Sequence, residues 1–400
     1  MPWKETCPVE ERFKFMVMYQ AEEWSIAELC REFGISRTTA YKWIARYEGE
    51  GLDGLKDRSR APHHQPYAAA PEVEQAVVAL RRQYPRRGPK KLLAMLQQAS
   101  PGVAWPALST IGDILKRNGL VAPRRRSRKT PPYEQPFAGY DYPNAVWSAD
   151  FKGWFVTGDG QRCEPLTISD NYSRFLLKCQ RVSSTGFAVV QPIFEAVFQE
   201  YGLPEAIRCD NGPPFATSTV GGLSKLSIWW LKLGIVPERI RPGSPSQNGR
   251  HERMHRTLKD ETASPPKATG RQQQAAFDRF RYDYNYERPH ESLGQQPPVR
   301  YYQPSPRPYP LLLPEMVYPN DMLVRSVKKQ GDIWWQGRHV YLSQTLAGER
   351  VGLQQVADDR WDIYFGPIRL AQLNATTKKL IHLKQTTTPK QSNGNKKDKN

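Results

Sequence analysis

Cysteine is sparse in this 400-residue chain: Cys7, Cys30, Cys163, Cys179 and Cys209 stand apart, with no C-x-x-C pair among them. That scatter excludes a disulfide framework and a Cys-rich zinc site, and it points to reduced thiols in a cytoplasmic protein. Long apolar runs are missing as well. No stretch approaches the roughly 18 residues of a membrane span, and the charged start MPWKETCPVEERF lacks the apolar segment of a secretory signal. No membrane association is therefore expected. Negative charge is the scarcer sign: 40 Asp and Glu against 58 Lys and Arg leave a net charge of +18 and a pI of about 9.6. A polyanionic partner follows, and nucleic acid is the economical choice.

Among the few acids, three stand in distinctive settings: Asp150 in VWSADFKGW, Asp210 in AIRCDNGPPF and Glu252 in SQNGRHERMHRTLK. Asp150 lies in an apolar, aromatic-rich run that reads as a strand, where a carboxylate is poorly solvated unless a cation balances it. Asp210 ends a second short strand, and Asn211, Gly212, Pro213 and Pro214 follow it as a turn, which presents a carboxylate at the carboxyl edge of a sheet. Gln247, Asn248 and Gly249 mark a helix start, after which Glu252, Arg256 and Lys259 share one face at i, i+4 and i+7. Taken singly, an Asp after a strand is a turn former and a Glu among basic residues is a surface pair. Taken together, three hard carboxylates suit a divalent cation and phosphodiester chemistry, with neighbouring cations on the nucleic-acid backbone.

On these residues the chain resembles bacterial insertion-sequence transposases with a core related to retroviral integrases and an Asp, Asp, Glu signature. Lys259 follows the third acid by seven residues, PSQNG matches the Pro-x-x-Asn-Gly lead-in, and YNYERPHESLGQQPPVRYY resembles the segment that closes such cores. One departure is clear. The family places about 35 residues between the second and third acids, whereas 41 lie between Asp210 and Glu252. Strict spacing lands on Ser246, and Glu238 lacks the matching context, so the surplus is assigned to a loop over Val220 to Ser227. The resemblance implies that Asp150, Asp210 and Glu252 are both catalytic and metal-binding. It also implies two Mg²⁺ ions, with Mn²⁺ as a substitute, and no zinc. One ion lowers the pKa of an attacking water, the other stabilises the leaving 3′ oxygen, and the freed 3′-OH attacks target DNA. His63 and His64 have no cysteine pair at finger spacing, so the separate zinc-binding domain of retroviral integrases is expected to be absent.

Two rival functions remain. HERMH, from His251 to His255, spells H-E-x-x-H, the zinc-metalloprotease pattern with two imidazoles on one side of a helix and Glu252 as base; Glu261, Glu287 and His290 offer a third ligand. That reading leaves Asp150 and Asp210 unexplained, and the pro-region and secretory composition of such proteases are missing. The other rival is a noncatalytic DNA-binding regulator derived from a transposase, which would bind DNA without nicking it.

The rest of the chain reads as a multidomain protein. Residues 1–58 carry an all-α helix-turn-helix unit, with helices over Val9–Gln20, Ile26–Phe33 and Arg37–Tyr47, Ser25 and Ser36 as caps, and Gly34 in the turn. Ile26, Leu29, Phe33, Ile35, Ala40 and Ile44 form its buried stripe. Arg37, Thr38, Tyr41 and Lys42 stay outside for a major groove. Residues 59–121 repeat the pattern with helices at Val73–Tyr84, Pro89–Gln98 and Ser109–Asn118; Arg81, Arg82, Arg86, Arg87, Lys90 and Lys91 are candidate phosphate anchors. A basic Pro-rich linker, 122–141, brings Arg124, Arg125 and Arg126 to the backbone. Residues 142–302 are expected to form an α/β ribonuclease H-like core. Its strands fall at Ala145–Val156, Arg162–Asp170, Arg174–Val182 and Ala206–Asp210, its first helix at Gly186–Tyr201, and three helical stretches follow; Asp170 and Asn171 serve as turn and support. Residues 303–376 read as a small C-terminal β-barrel in which Trp334, Trp335 and Trp361 are core, and 377–400 as a disordered basic tail. The expected partners are double-stranded DNA, both element ends and target, and further copies of the chain as a homo-oligomer on that DNA. The expected location is the bacterial cytoplasm, at the nucleoid.

Overall fold

The computed structural model describes residues 7–58, 69–121, 141–217, 219–240 and 249–382. These fall into two compact units, 1–70 and 71–400. In the first, α1 (Pro8–Gln20), α2 (Ile26–Glu32) and α3 (Arg37–Glu50) enclose Phe15, Met16, Leu29, Ala40, Trp43 and Ile44. Ser25 caps α2 in a reciprocal box with Glu28, and Ser36 accepts from the backbone N–H of Thr39, satisfying N–H groups that a helix start leaves unpaired. Gly34 takes φ +60° in the turn between α2 and α3, a conformation that costs other residues strain. The expected stripe holds, with Ile26, Phe33 and Ile35 partly buried against it. Trp43 joins it, with the Arg12 and Arg46 guanidiniums over its ring at 3.9 and 4.9 Å.

The second unit begins with α4 (Pro71–Gln83), α5 (Pro89–Ala99) and α6 (Leu108–Arg117). Its core is Val77, Leu92, Leu96, Ile111, Ile114 and Leu115. The basic residues expected to face phosphate are mostly engaged within the protein. Arg87 is buried and pairs with Asp283, Lys90 bonds Glu291 at 2.7 Å, and Arg81 donates to the Leu120 carbonyl at 3.0 Å. Half-buried Lys91 has its amine pushed down to about 8, chiefly by burial. Helical periodicity shows which positions face outward, but not that another element covers that face.

A mixed six-stranded sheet follows: β1 (Val146–Phe151), β2 (Phe155–Val156), β3 (Arg162–Asp170), β4 (Leu176–Val182), β5 (Ala206–Cys209) and β6 (Val236–Arg239). The path runs β2-β3-β1-β5-β6, with β4 on β3; β1 is antiparallel to β3 and parallel to β5. The single strand expected over Ala145–Val156 is broken where Gly153 takes φ +81°. β6, unforeseen from the sequence, is too short and too charged to stand out. Trp147, Ala149, Leu166 and Ile168 face α7 (Phe187–Tyr201) and α8 (Lys225–Lys232), whose Phe194, Phe198, Trp229 and Trp230 complete the main core. The opposite face meets α9 (Gly249–Thr262) and α10 (Gly270–Tyr282) through Met254, Leu258, Phe277 and Phe280. Beyond α10, the Asn285 side chain brackets the edge of β4 by accepting from Leu176 N and donating to Leu176 O, and Tyr302 stacks on Phe175 at 4.3 Å. The tract from Tyr284 to Tyr302 therefore does close this core.

The C-terminal strands do not form the expected barrel. β7 (Leu323–Ser326), β10 (Arg350–Ala357), β11 (Arg360–Phe365), β12 (Ile368–Asn374) and β13 (Leu380–His382) make an open sheet ordered β13-β12-β11-β10-β7, beside a separate hairpin of β8 (Asp332–Trp335) and β9 (Arg338–Tyr341). Closure is not needed to bury the apolar face. Val220 and Leu223 from the segment before α8, Ile228 and Leu231 from α8, and Ile333, Trp335 and Val340 from the hairpin cover it. The surplus between Asp210 and Glu252 is thus packing surface, and it is only partly loop, since Ser224 caps α8 and Lys225 to Ser227 are its first turn. Trp335 is buried and Trp361 packs on it at 5.0 Å, whereas Trp334 is half exposed. β13 falls inside the stretch expected to be tail.

Candidate active site

Strand alternation builds the site. On β1, Trp147 and Ala149 enter the core, so Ser148 and Asp150 point to the opposite face. The antiparallel register sets Ser148 against Ser169 and Asp150 against Thr167. A row of polar side chains therefore lies under α9. Its buried helix face answers with His251 and His255, both 4% exposed. The Thr167 hydroxyl lies 2.7 Å from His251 Nε2 and 2.6 Å from His255 Nε2, and it donates to the Asp150 carbonyl at 3.1 Å. Ser169 Oγ is 3.1 Å from His251 Nδ1, and Ser148 donates to Asn171 at 2.9 Å. Burial holds the His251 imidazole neutral, its pKa pushed down to about 3, and that of His255 well below the ordinary value.

Asp150 sits at the rim of this row. In parallel β1 and β5, Val146 to Ser148 pair in step with Ala206 to Arg208, and Asp210 is the residue that follows β5. Asp210, exposed at the end of β5, accepts from Gly212 N at 3.1 Å in a tight turn. Burial pushes the Asp150 carboxyl up to about 7, with the negative charge of Asp210 and then Glu252 adding to it, against the Phe151 N–H and Lys152. Glu252, Arg256 and Lys259 are exposed on α9. Asp170 is different: its carboxylate is buried and accepts from Asn144 N, Ser173 N and Ser173 Oγ at 2.8, 2.7 and 2.6 Å. It supports the turn, as expected from its setting.

Because the Asp150 pKa in the fold exceeds that of an unfolded carboxyl, near 3.9, its contribution to stability is fully present below that value. It is lost as pH rises through about 7. Asp150→Asn is expected to stabilise the cation-free protein at pH 8 by about 2 kcal/mol or more, and far less at pH 4.5. Thermal melts in chelator at the two pH values check this.

Other sequence-derived residues are placed as follows. Arg37, Thr38, Tyr41 and Lys42 are all exposed on α3. Arg124, Arg125 and Arg126 lie outside the described residues, as do Gln247 and Asn248. HERMH forms on α9 as spelled, but both Nε2 atoms, the nitrogens that such a zinc site uses, converge on the Thr167 hydroxyl. Asp150, His251 and His255 are nevertheless a described group with one potential ligand atom each within 4.8 Å of the others. The sequence does not single out Thr167, Ser169 or Ser148, and it offers His251 and His255 only as zinc ligands of the rival reading. The detectable signal was Ser, Thr and Asp at every second position of two otherwise apolar strands.

Comparison with known proteins covers most of the chain. Sequence models described as "Integrase core domain" match residues 141–245 and 233–298. A "Helix-turn-helix domain" matches 11–63, a "Homeodomain-like domain" 39–115, and an "IS481 family transposase, C-terminal domain" 322–380. An uncharacterized 39.2 kDa protein of insertion element IS476 from Xanthomonas euvesicatoria is 27% identical over 238 residues, 59% of this chain and 66% of the relative. An uncharacterized 31.7 kDa protein of element IS407 from Burkholderia multivorans is 26% identical, covering 59% of this chain and 84% of the relative. The chain thus spans just under two thirds of the first of these relatives. The HTLV-2 integrase catalytic core in complex with magnesium is 14% identical with a TM-score of 0.33, covering 40% of this chain and 98% of that one.

Proposed function

Since the chain belongs to the bacterial insertion-sequence transposases with an integrase-like core, we propose that it binds the ends of its element, cleaves a phosphodiester bond there and transfers the 3′-OH end into target DNA. What supports this proposal is the placing of Asp150 on β1 and Asp210 just after its parallel neighbour β5, with the Asp150 carboxyl pushed up by burial and then by the negative charge of Asp210 and Glu252. Asp150, Asp210 and Glu252 are the catalytic and metal-binding residues in this proposal. The donor set fits Mg²⁺, because the oxygens are hard and the exposure of Asp210 and Glu252 leaves room for water and phosphate oxygens. Two such ions, when bound, supply charge neutralisation at the phosphate and a more acidic water.

The protein's own part is positional. β1 holds Asp150, the turn after β5 holds Asp210, and α9 brings the third acid while Arg256 and Lys259 on its outer face take phosphate oxygens. Arg37, Thr38, Tyr41 and Lys42 enter the major groove, and Arg124, Arg125 and Arg126 follow the backbone. Two ends must be held together, so a homo-oligomer on DNA is part of the proposal, as is a place at the bacterial nucleoid. The direct test uses oligonucleotides bearing the element's terminal inverted repeats. Mg²⁺-dependent nicking and joining to plasmid is expected. Tight binding without nicking would favour the regulator instead.

A further inference from the structure

The proton count at Thr167 singles out one nitrogen. Its hydroxyl has one proton and two lone pairs, and it meets three partners: the Asp150 carbonyl at 3.1 Å, His251 Nε2 at 2.7 Å and His255 Nε2 at 2.6 Å. A carbonyl can only accept, so the hydroxyl proton goes to Asp150 O and both imidazoles donate from Nε2. Any other assignment leaves one of the three contacts without a hydrogen. His251 Nδ1 is then an acceptor for the Ser169 hydroxyl at 3.1 Å, and both its nitrogens are engaged. His255 Nδ1 is also a bare lone pair. It faces Asp150 Oδ2 at 3.8 Å, beyond hydrogen-bond reach.

Asp150 and His255 belong, with His251, to a group whose potential ligand atoms lie within 4.8 Å of one another. Two neighbouring ligands of one octahedral cation, each at about 2.1 Å, stand roughly 3 Å apart, so a closure of under about 1 Å would let both hold the same ion. We propose that His255 Nδ1 is a ligand of the divalent cation bound by Asp150, giving that site a mixed oxygen and nitrogen donor set that favours Mn²⁺ over Mg²⁺. This rests on the carboxylate site proposed above. An imidazole adds little to a hard ion such as Mg²⁺ but binds later first-row ions well, and Mn²⁺ lies between the two. Thr167 is a positioning residue here, because it fixes the tautomer that turns the lone pair toward Asp150.

The test is Mn²⁺ added to the full chain and read by pulsed electron paramagnetic resonance, which detects nitrogen bonded to the ion independently of activity. The expected result is a directly bonded ¹⁴N signal. It should be lost in His255→Gln, whose amide can keep the Thr167 contact but leaves no donor beside Asp150, and kept in His251→Gln. Calorimetry should show Mn²⁺ affinity falling about tenfold or more in His255→Gln, with Mg²⁺ affinity changed much less. Mn²⁺ that binds, is lost in Asp150→Asn, and shows no nitrogen coupling in the wild type would overturn the proposal while leaving the carboxylate site intact. A nitrogen signal that persists in His255→Gln but vanishes in His251→Gln would overturn it too. Failure of Mn²⁺ to bind the wild type at all would refute the carboxylate site itself. The wild-type spectrum decides the matter even if the variants fold poorly.

Discussion

Asp150→Asn or Asp210→Asn is expected to reduce joining of end oligonucleotides to plasmid by about a thousandfold or more, equivalent to losing about 4 kcal/mol of transition-state stabilisation, while duplex binding survives. The separation is physical. In the proposed mechanism the DNA contacts are made by cations of α3, α9 and the basic segment, whereas Asp150 lies on β1 and Asp210 follows β5. Asparagine keeps the shape of the side chain and removes the charge that a divalent cation requires. Gel-shift and joining assays on the same preparations check both halves. Unchanged joining in either variant would remove that residue from the mechanism.

Asp283→Ala is expected to destabilise the 71–400 unit by about 3–5 kcal/mol, the largest stability effect foreseen. Its carboxylate pairs with Arg87, whose side chain is 2% exposed, packs over the Tyr84 ring at 3.8 Å and donates to Met95 Sδ at 2.8 Å. Removing the acid leaves a buried guanidinium without its main counter-charge, since Asp283 is also the acid that Arg87 shares with nearby Arg288, 3.8 Å away. Replacing both partners with apolar residues, Arg87→Met with Asp283→Leu, should recover most of the loss. Chemical denaturation of the wild type and the two variants measures it. Equal loss in the single and double variants would show that the pair's charges are not what the contact depends on.

The same pair shows where sequence reading ended. Arg87 reads as a phosphate anchor because it stands in a basic cluster between α4 and α5, and nothing local announces that Asp283, far along the chain, will cover it. The N-terminal helices were legible because each signal is local: Ser25 and Glu28 form their box within one turn, and Gly34 marks the bend. β3 has the limits its long apolar alternation predicts, while β6, at four residues, is too short to stand out. The three acids were found from their flanking residues. Whether they come together is not legible there, because that depends on the parallel register of β1 and β5 and on the path of α9. Thr167 escaped for the same reason: a threonine in a buried strand gives no hint that two histidines from another element will close on its hydroxyl. The barrel was inferred from short strands and glycine turns, which fit equally an open sheet covered by Ile228, Leu231 and the β8–β9 hairpin.

Crystals soaked in Mn²⁺ and measured at the manganese absorption edge would locate the ions without any assay of activity. An anomalous peak within about 2.5 Å of carboxylate oxygens from both Asp150 and Asp210, with Glu252 on the same cluster, is the predicted result. Well-occupied manganese elsewhere on the protein, with none beside Asp150, would contradict it.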